Sequence, residues 1–127
     1  RRGFPAALEG EFVGRRVARQ QVVERLAPAH DCGCTIQART LAYLRNNHAQ
    51  LGRLFELEKT GAFTDRDNRE GEAFAAERLA AAAAELRDLV LMAWRGSLAG
   101  TVGFPPVAVS DVVTRKTNPI RQMRGED

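Results

Sequence analysis

The sequence predicts an all-α protein built on an antiparallel long helical hairpin, with an amino-terminal helix and an extended carboxy-terminal arm. Three observations predict it. Two long segments repeat their apolar residues at steps of three and four, the spacing that lines one face of a helix. Only a short, turn-like stretch joins them, which favours antiparallel packing. The Gly and Pro residues cluster towards the two ends of the chain.

Residues 6–26 form the first predicted element. Leu8, Phe12, Val22, Val23 and Leu26 fall on one broad side of a helix, although Gly10 and Gly14 lower its propensity. Pro28 marks its end. Residues 27–34 (APAHDCGC) are a linker, after which Asp31 or Thr35 supplies a side-chain oxygen for capping. The first arm of the hairpin spans 35–59, with Leu41, Leu44, His48, Leu51 and Phe55 on one stripe that Leu54 and Leu57 widen. Gly61 is placed to adopt the left-handed conformation that closes a helix. Thr64 to Asp67 reads as the next start signal. The second arm runs from Asn68 to Ser97, with Phe74, Leu79, Ala82, Leu86, Leu89, Val90, Ala93 and Trp94 as its buried stripe. From residue 99 onward the glycines, prolines and valines read as an extended arm. The expected organisation is a helical domain over 1–100 and a tail over 101–127.

Composition narrows the function classes. The chain has 127 residues, enough for one domain, with 44% hydrophobic and 28% charged residues, as in a globular protein. Its first residue is Arg1, so it reads as a processed chain or part of a longer polypeptide. No stretch approaches the ~20 apolar residues of a membrane span; the richest, Leu86 to Trp94, is interrupted by Arg87 and Asp88. The net charge is +3. Much of the excess lies early, where Arg1, Arg2, Arg15, Arg16, Arg19 and Arg25 face Glu9, Glu11 and Glu24. A nucleic-acid binder concentrates more charge and interleaves aromatics, so a basic nucleic-acid-binding module is the third-ranked reading.

Chemistry-bearing residues are few. His30, Cys32 and Cys34 are metal-capable and close together in the linker. Zinc is the ion such donors would take, but it needs three or four ligands, so Asp31, His48 or a distant group would have to join. The alternatives are two ordinary thiols in a turn, a strained bridge between Cys32 and Cys34, or pairing with another chain. His48, on the apolar stripe, reads as a packed residue rather than a ligand. Glu56, Glu58, Asp65 and Asp67 gather near the hairpin turn, where helix capping and solvation explain them. No Ser–His–Asp set, phosphate loop or Cys–His pair with an orienting acid stands out, so the chain alone is not expected to be an enzyme.

Two segments carry a family resemblance. Leu54 to Phe63 (LFELEKTGAF) and Ala75 to Ser97 (AAERLAAAAAELRDLVLMAWRGS) resemble the last helices of bacterial proteins related to zinc-dependent phospholipase C and the zinc-dependent single-strand nucleases. Ala93-Trp94 matches the AW pair that ends the family's final helix. Ala7 to Val13 (ALEGEFV) resembles the segment following a metal-binding His, in which an acid is a second ligand. The resemblance implies zinc as cofactor, Glu9 as one surviving ligand, and a secreted or periplasmic location. It places Pro5 where the family has its His, and the other His and Asp ligands would lie upstream of Arg1. The first expectation is therefore a helical carboxy-terminal part, or degenerate relative, of a zinc-dependent phosphodiesterase. The second is a non-enzymatic assembly subunit that uses the hairpin as a rigid body and the tail as a docking strap. Its partner would be another protein chain or the missing amino-terminal part of the same polypeptide. Trp94, Phe104, Pro105 and Pro106 are the residues that would meet that partner, although Trp94 reads more simply as an anchor at the core edge.

Overall fold

A computed structural model of the chain describes residues 7–64, 68–118 and 120. The described chain is mostly helical, with one two-stranded antiparallel sheet, so the all-α expectation holds in outline. It falls into two compact units, Arg1–Asp88 and Leu89–Asp127.

In the first unit the predicted amino-terminal helix is broken into pieces. A π-helical segment, α1 (Ala7–Val13), runs into a single α-turn, α2 (Gly14–Arg16). Val17 and Ala18 are extended, and α3 (Arg19–Val23) follows. The glycines at 10 and 14 and the β-branched Val13 and Val17 account for the irregular winding. The long arm expected over 35–59 is likewise two helices, α4 (Ile36–Ala49) and α5 (Leu51–Lys59), which share Gln50 as end and start. Thr35 caps α4 by accepting the Ala38 amide at 3.2 Å. Asp31, the other candidate cap, instead accepts the Gly33 amide at 3.0 Å.

The end of α5 is closed as expected. Gly61 is left-handed at φ +76. Its amide donates to the Glu58 carbonyl, and that of Ala62 donates to Leu57. This pair of bonds satisfies carbonyls that the helix end would otherwise leave open. The Thr64–Asp67 start signal lies partly outside the described residues. The cap actually seen on α6 (Arg69–Ser97) is Asn68, whose Oδ1 accepts the amides of Glu70 and Gly71 at 3.0 and 3.2 Å.

The core sits where these turns meet. Phe12, Leu57, Ala62, Phe63, Phe74 and Ala75 form one buried cluster, flanked by Leu8, Val13, Val17 and Leu54. Phe63 meets Phe12 edge-on at 5.3 Å between ring centres, the geometry that suits aromatic quadrupoles. Gly71 lets α6 approach the preceding turn, since a Cβ there would collide with the Ala62 carbonyl.

Both predicted apolar stripes are corrected. Leu41, Leu44, His48, Leu51 and Phe55 are all exposed, and of the first stripe only its widening members are covered, Leu57 in the core and Leu54 packed against it. On α6 only Phe74 of the predicted stripe is buried. The covered positions are Gly71, Phe74, Ala75, Ala76, Ala80, Ala84 and Asp88. The physical reason is size: small side chains let a neighbouring segment come close, and α6 turns its Ala-rich side inwards. Leu86, expected in the core, is 64% exposed.

The second unit is also less extended than expected. β1 (Thr101–Val102) pairs with β2 (Val107–Ala108), Thr101 opposite Ala108 and Val102 opposite Val107. Gly103, left-handed at φ +80, and a cis Phe104–Pro105 bond lie in the turn between them. A short helix, α7 (Val109–Val113), follows directly. Residues 121–127, the charged end of the predicted tail, lie outside the described residues.

Candidate functional site

The most organised polar arrangement in the first unit is built from three pieces of sequence: residues 27–34, the first turn of α4, and the Glu85–Asp88 turn of α6. Asp88 is its centre, only 4% exposed. A buried carboxylate is costly unless several donors surround it, and here three do. Arg39 Nη2 donates to Oδ2 at 2.7 Å, Arg87 Nε donates to Oδ1 at 2.8 Å, and the His30 amide donates to Oδ2 at 3.3 Å.

Each arginine then uses its remaining nitrogens to hold the linker. Arg39 donates to the His30 carbonyl at 3.0 Å and to Glu85 Oε2 at 3.0 Å. Arg87 donates to the carbonyls of Ala27 at 2.7 Å and Pro28 at 3.0 Å. The planar guanidinium fork suits this work, because one group can serve a carboxylate and a carbonyl together. The linker has no regular structure of its own and takes its shape from these bonds.

The hydrogen bond from Arg87 is the main cause that holds the Asp88 carboxyl below the ordinary 3.8. Burial pushes the other way. The His30 amide and the charges of Arg87 and Arg39 reinforce the lowering, so the group is a stable anion. It cannot act as a proton donor near neutral pH.

A cavity of about 530 Å³ opens beside this node. The linker contributes Pro28, His30, Cys32 and Cys34; α4 contributes Arg39 and Tyr43; α6 contributes Ala84 and Glu85. Among the described residues, Glu85 Oε1 is buried without a hydrogen-bond partner. A second cavity, about 240 Å³, lies between Leu8, Leu51, Leu54, Phe74 and Leu79 and is lined mostly by apolar groups. No family model matches the chain, nor does any curated protein or solved structure.

His30, Cys32 and Cys34 line the larger cavity together. The two cysteines are joined in a disulfide, so in this state neither sulfur is the thiolate that zinc requires. Among the described residues no three His, Cys, Asp or Glu side chains are gathered to grip an ion. Glu9 lies in α1, and its side chain is outside what the structure describes. His48 sits exposed in the last turn of α4. Glu56 pairs with Lys59 at 2.8 Å on the surface, while Asp65 and Asp67 fall outside the described residues.

In the second unit Trp94 is 64% exposed rather than anchored at a core edge, and Phe104 is 85% exposed. Pro105 and Pro106 are exposed beside it. Sequence reasoning missed Arg39, Glu85, Arg87 and Asp88. A signal existed for two of them: Arg87 and Asp88 interrupt an otherwise apolar run, where an acid and a base side by side fit a buried pair as well as a solvated face.

Proposed function

We propose that the chain is a docking module: an antiparallel hairpin of α4–α5 against α6 that presents an apolar face to a protein partner. The order of the side-chain links supports the hairpin. Arg39 meets Glu85 and Asp88, Asn47 meets Arg78, and Arg53 meets Glu77, so numbers rise along one arm as they fall along the other.

The observation that carries the docking reading is the outward face of α6. Between Leu79 and Leu86 its exposed positions are Leu79, Ala82, Ala83 and Leu86, with no charge among them. The one charged residue of this stretch, Glu85, is half-buried instead, as is Arg78 just before it. Single exposed leucines are ordinary on a protein surface. Two turns of helix whose exposed positions are all apolar, while the charge of the same turns faces inwards, mark a surface suited to covering. Among the described residues no helix is long and apolar enough to cross a membrane.

The test is a double substitution, Leu79→Lys with Leu86→Lys. A partner that co-purifies with the tagged chain should be lost, while the helical circular dichroism signal stays. If every co-purifying protein is retained by the folded variant, the docking reading is wrong. The zinc-enzyme family supplies a second reading, because the outward face lies within the Ala75–Ser97 segment that carries the resemblance. On that reading the cover is the ligand-bearing part of the same enzyme. Zinc bound to purified full-length protein heavier than 14.0 kDa would favour it.

A further inference from the structure

The Cys32–Cys34 bond takes no part in the outward face of α6 or in the Asp88 node. A disulfide stabilises mainly by shrinking the unfolded ensemble, and the effect grows with the length of the closed loop. Here the separation is two residues, so the bond constrains little that the peptide chain does not already constrain. The linker leading into it is held by other means, through Arg39, Arg87 and Asp88 on the backbone of Ala27, Pro28 and His30.

The local geometry suits reactivity better than bracing. Gly33 is left-handed at φ +59, which folds the tripeptide back on itself. The Cys34 amide donates to Cys32 Sγ at 3.3 Å. An N–H aimed at sulfur favours the thiolate over the thiol, so Cys32 is the better leaving group of the two. Both sulfur-bearing residues are half-buried on the wall of the 530 Å³ cavity, which has room for a small peptide.

We propose that Cys32–Cys34 is a thiol–disulfide exchange site for small cysteinyl peptides bound in this cavity. A peptide thiolate attacks Cys34 Sγ. The Cys32–Cys34 bond breaks, and its electron pair leaves on Cys32 Sγ, where the Cys34 amide faces the new charge. The product is a mixed disulfide between the peptide and Cys34. A second peptide thiolate attacks the peptide sulfur, forming the peptide disulfide and releasing Cys34 as a thiolate. In sum, two peptide thiols are oxidised to one disulfide, the protein disulfide is reduced to two thiols, and two protons pass from the peptide thiols to the protein. The reverse reaction restores the bond.

Glutathione, a cysteinyl tripeptide, is the probe. The full chain is equilibrated in buffers of graded reduced-to-oxidised glutathione ratio, quenched with an alkylating reagent and weighed intact, with circular dichroism recorded in parallel. The expected result is conversion from no alkylated cysteine to two across the series, with helical signal and Tm unchanged. Cys32→Ser should trap several-fold more glutathione on Cys34 than Cys34→Ser traps on Cys32. Alkylation only after denaturant is added, or a Tm that falls as the bond is reduced, would make the bond a structural brace and overturn the proposal. Equal trapping in the two variants, or none, would overturn the assigned direction of attack and with it the site.

Discussion

The two sides of α6 teach opposite lessons about what a helix buries. Its covered side is small and, at Asp88, charged; its outward side around Leu79 and Leu86 is larger and apolar. Hydrophobicity alone assigns the sides the other way round. Two effects reverse the assignment. Ala76, Ala80 and Ala84 repeat every fourth residue, which makes a shallow track where a neighbour can come close and where Arg39 can reach across. The donors around Asp88 then supply what water would have supplied. The covered side is held by specific bonds, and the outward side has no such partner among the described residues of the first unit.

The largest effect expected from breaking this contrast is at Asp88. Replacing it with Ala removes the shared acceptor and leaves Arg39 and Arg87 without their carboxylate. Deleting one partner of a buried ion pair costs about 3–5 kcal/mol, read as a shift in the urea midpoint. A loss under about 1 kcal/mol, the level of a surface pair, would mean that the node is solvated and the contrast false. Next comes Gly71→Ala, where the added methyl meets the Ala62 carbonyl. Overpacking of this kind costs about 1–3 kcal/mol, and the same measurement checks it.

Acid titration sharpens the Asp88 claim with a smaller change. Its carboxyl is lowered in the folded state from the 3.8 of a free group. The stability it supplies is therefore complete above about 3.8 and is lost as pH falls through the lower, folded value. Thermal unfolding of the parent and of Asp88→Asn should converge as the pH drops below that point and separate above it. Parallel curves would show that Asp88 does not titrate as a buried anion.

How much of this was legible follows from the kind of signal each feature carries. The helix ends at Thr35 and Gly61 could be read because a cap is a local event: one side-chain oxygen or one left-handed glycine suffices. The mostly helical character was legible for the same reason, since periodicity and Ala content are properties of short windows. The break at Gln50 was not, because Leu41, Leu44 and Leu51 keep helical spacing across it. Nor was the inward face of α6. Choosing between an alanine track and a leucine stripe depends on what lies opposite, and Arg39 is 49 residues from Asp88. The Cys32–Cys34 bridge stood among the alternatives open at the linker, but nothing in the spacing placed a cavity beside it.

Leu86→Ala is the smallest expected effect and the one that separates the two accounts most cleanly. Were Leu86 in the core, as its place in the apolar stripe predicts, truncation would cost about 2–5 kcal/mol. At 64% exposure the side chain has little contact to lose, and Ala is at least as good a helix former. The unfolding midpoint of the isolated chain should therefore move by no more than about 0.5 kcal/mol, the range of ordinary surface changes. With a docked partner present the cost should reappear, because burial at the interface restores the transfer free energy of the leucine. A large loss in the isolated chain would return Leu86 to the core and remove the face on which the docking reading stands.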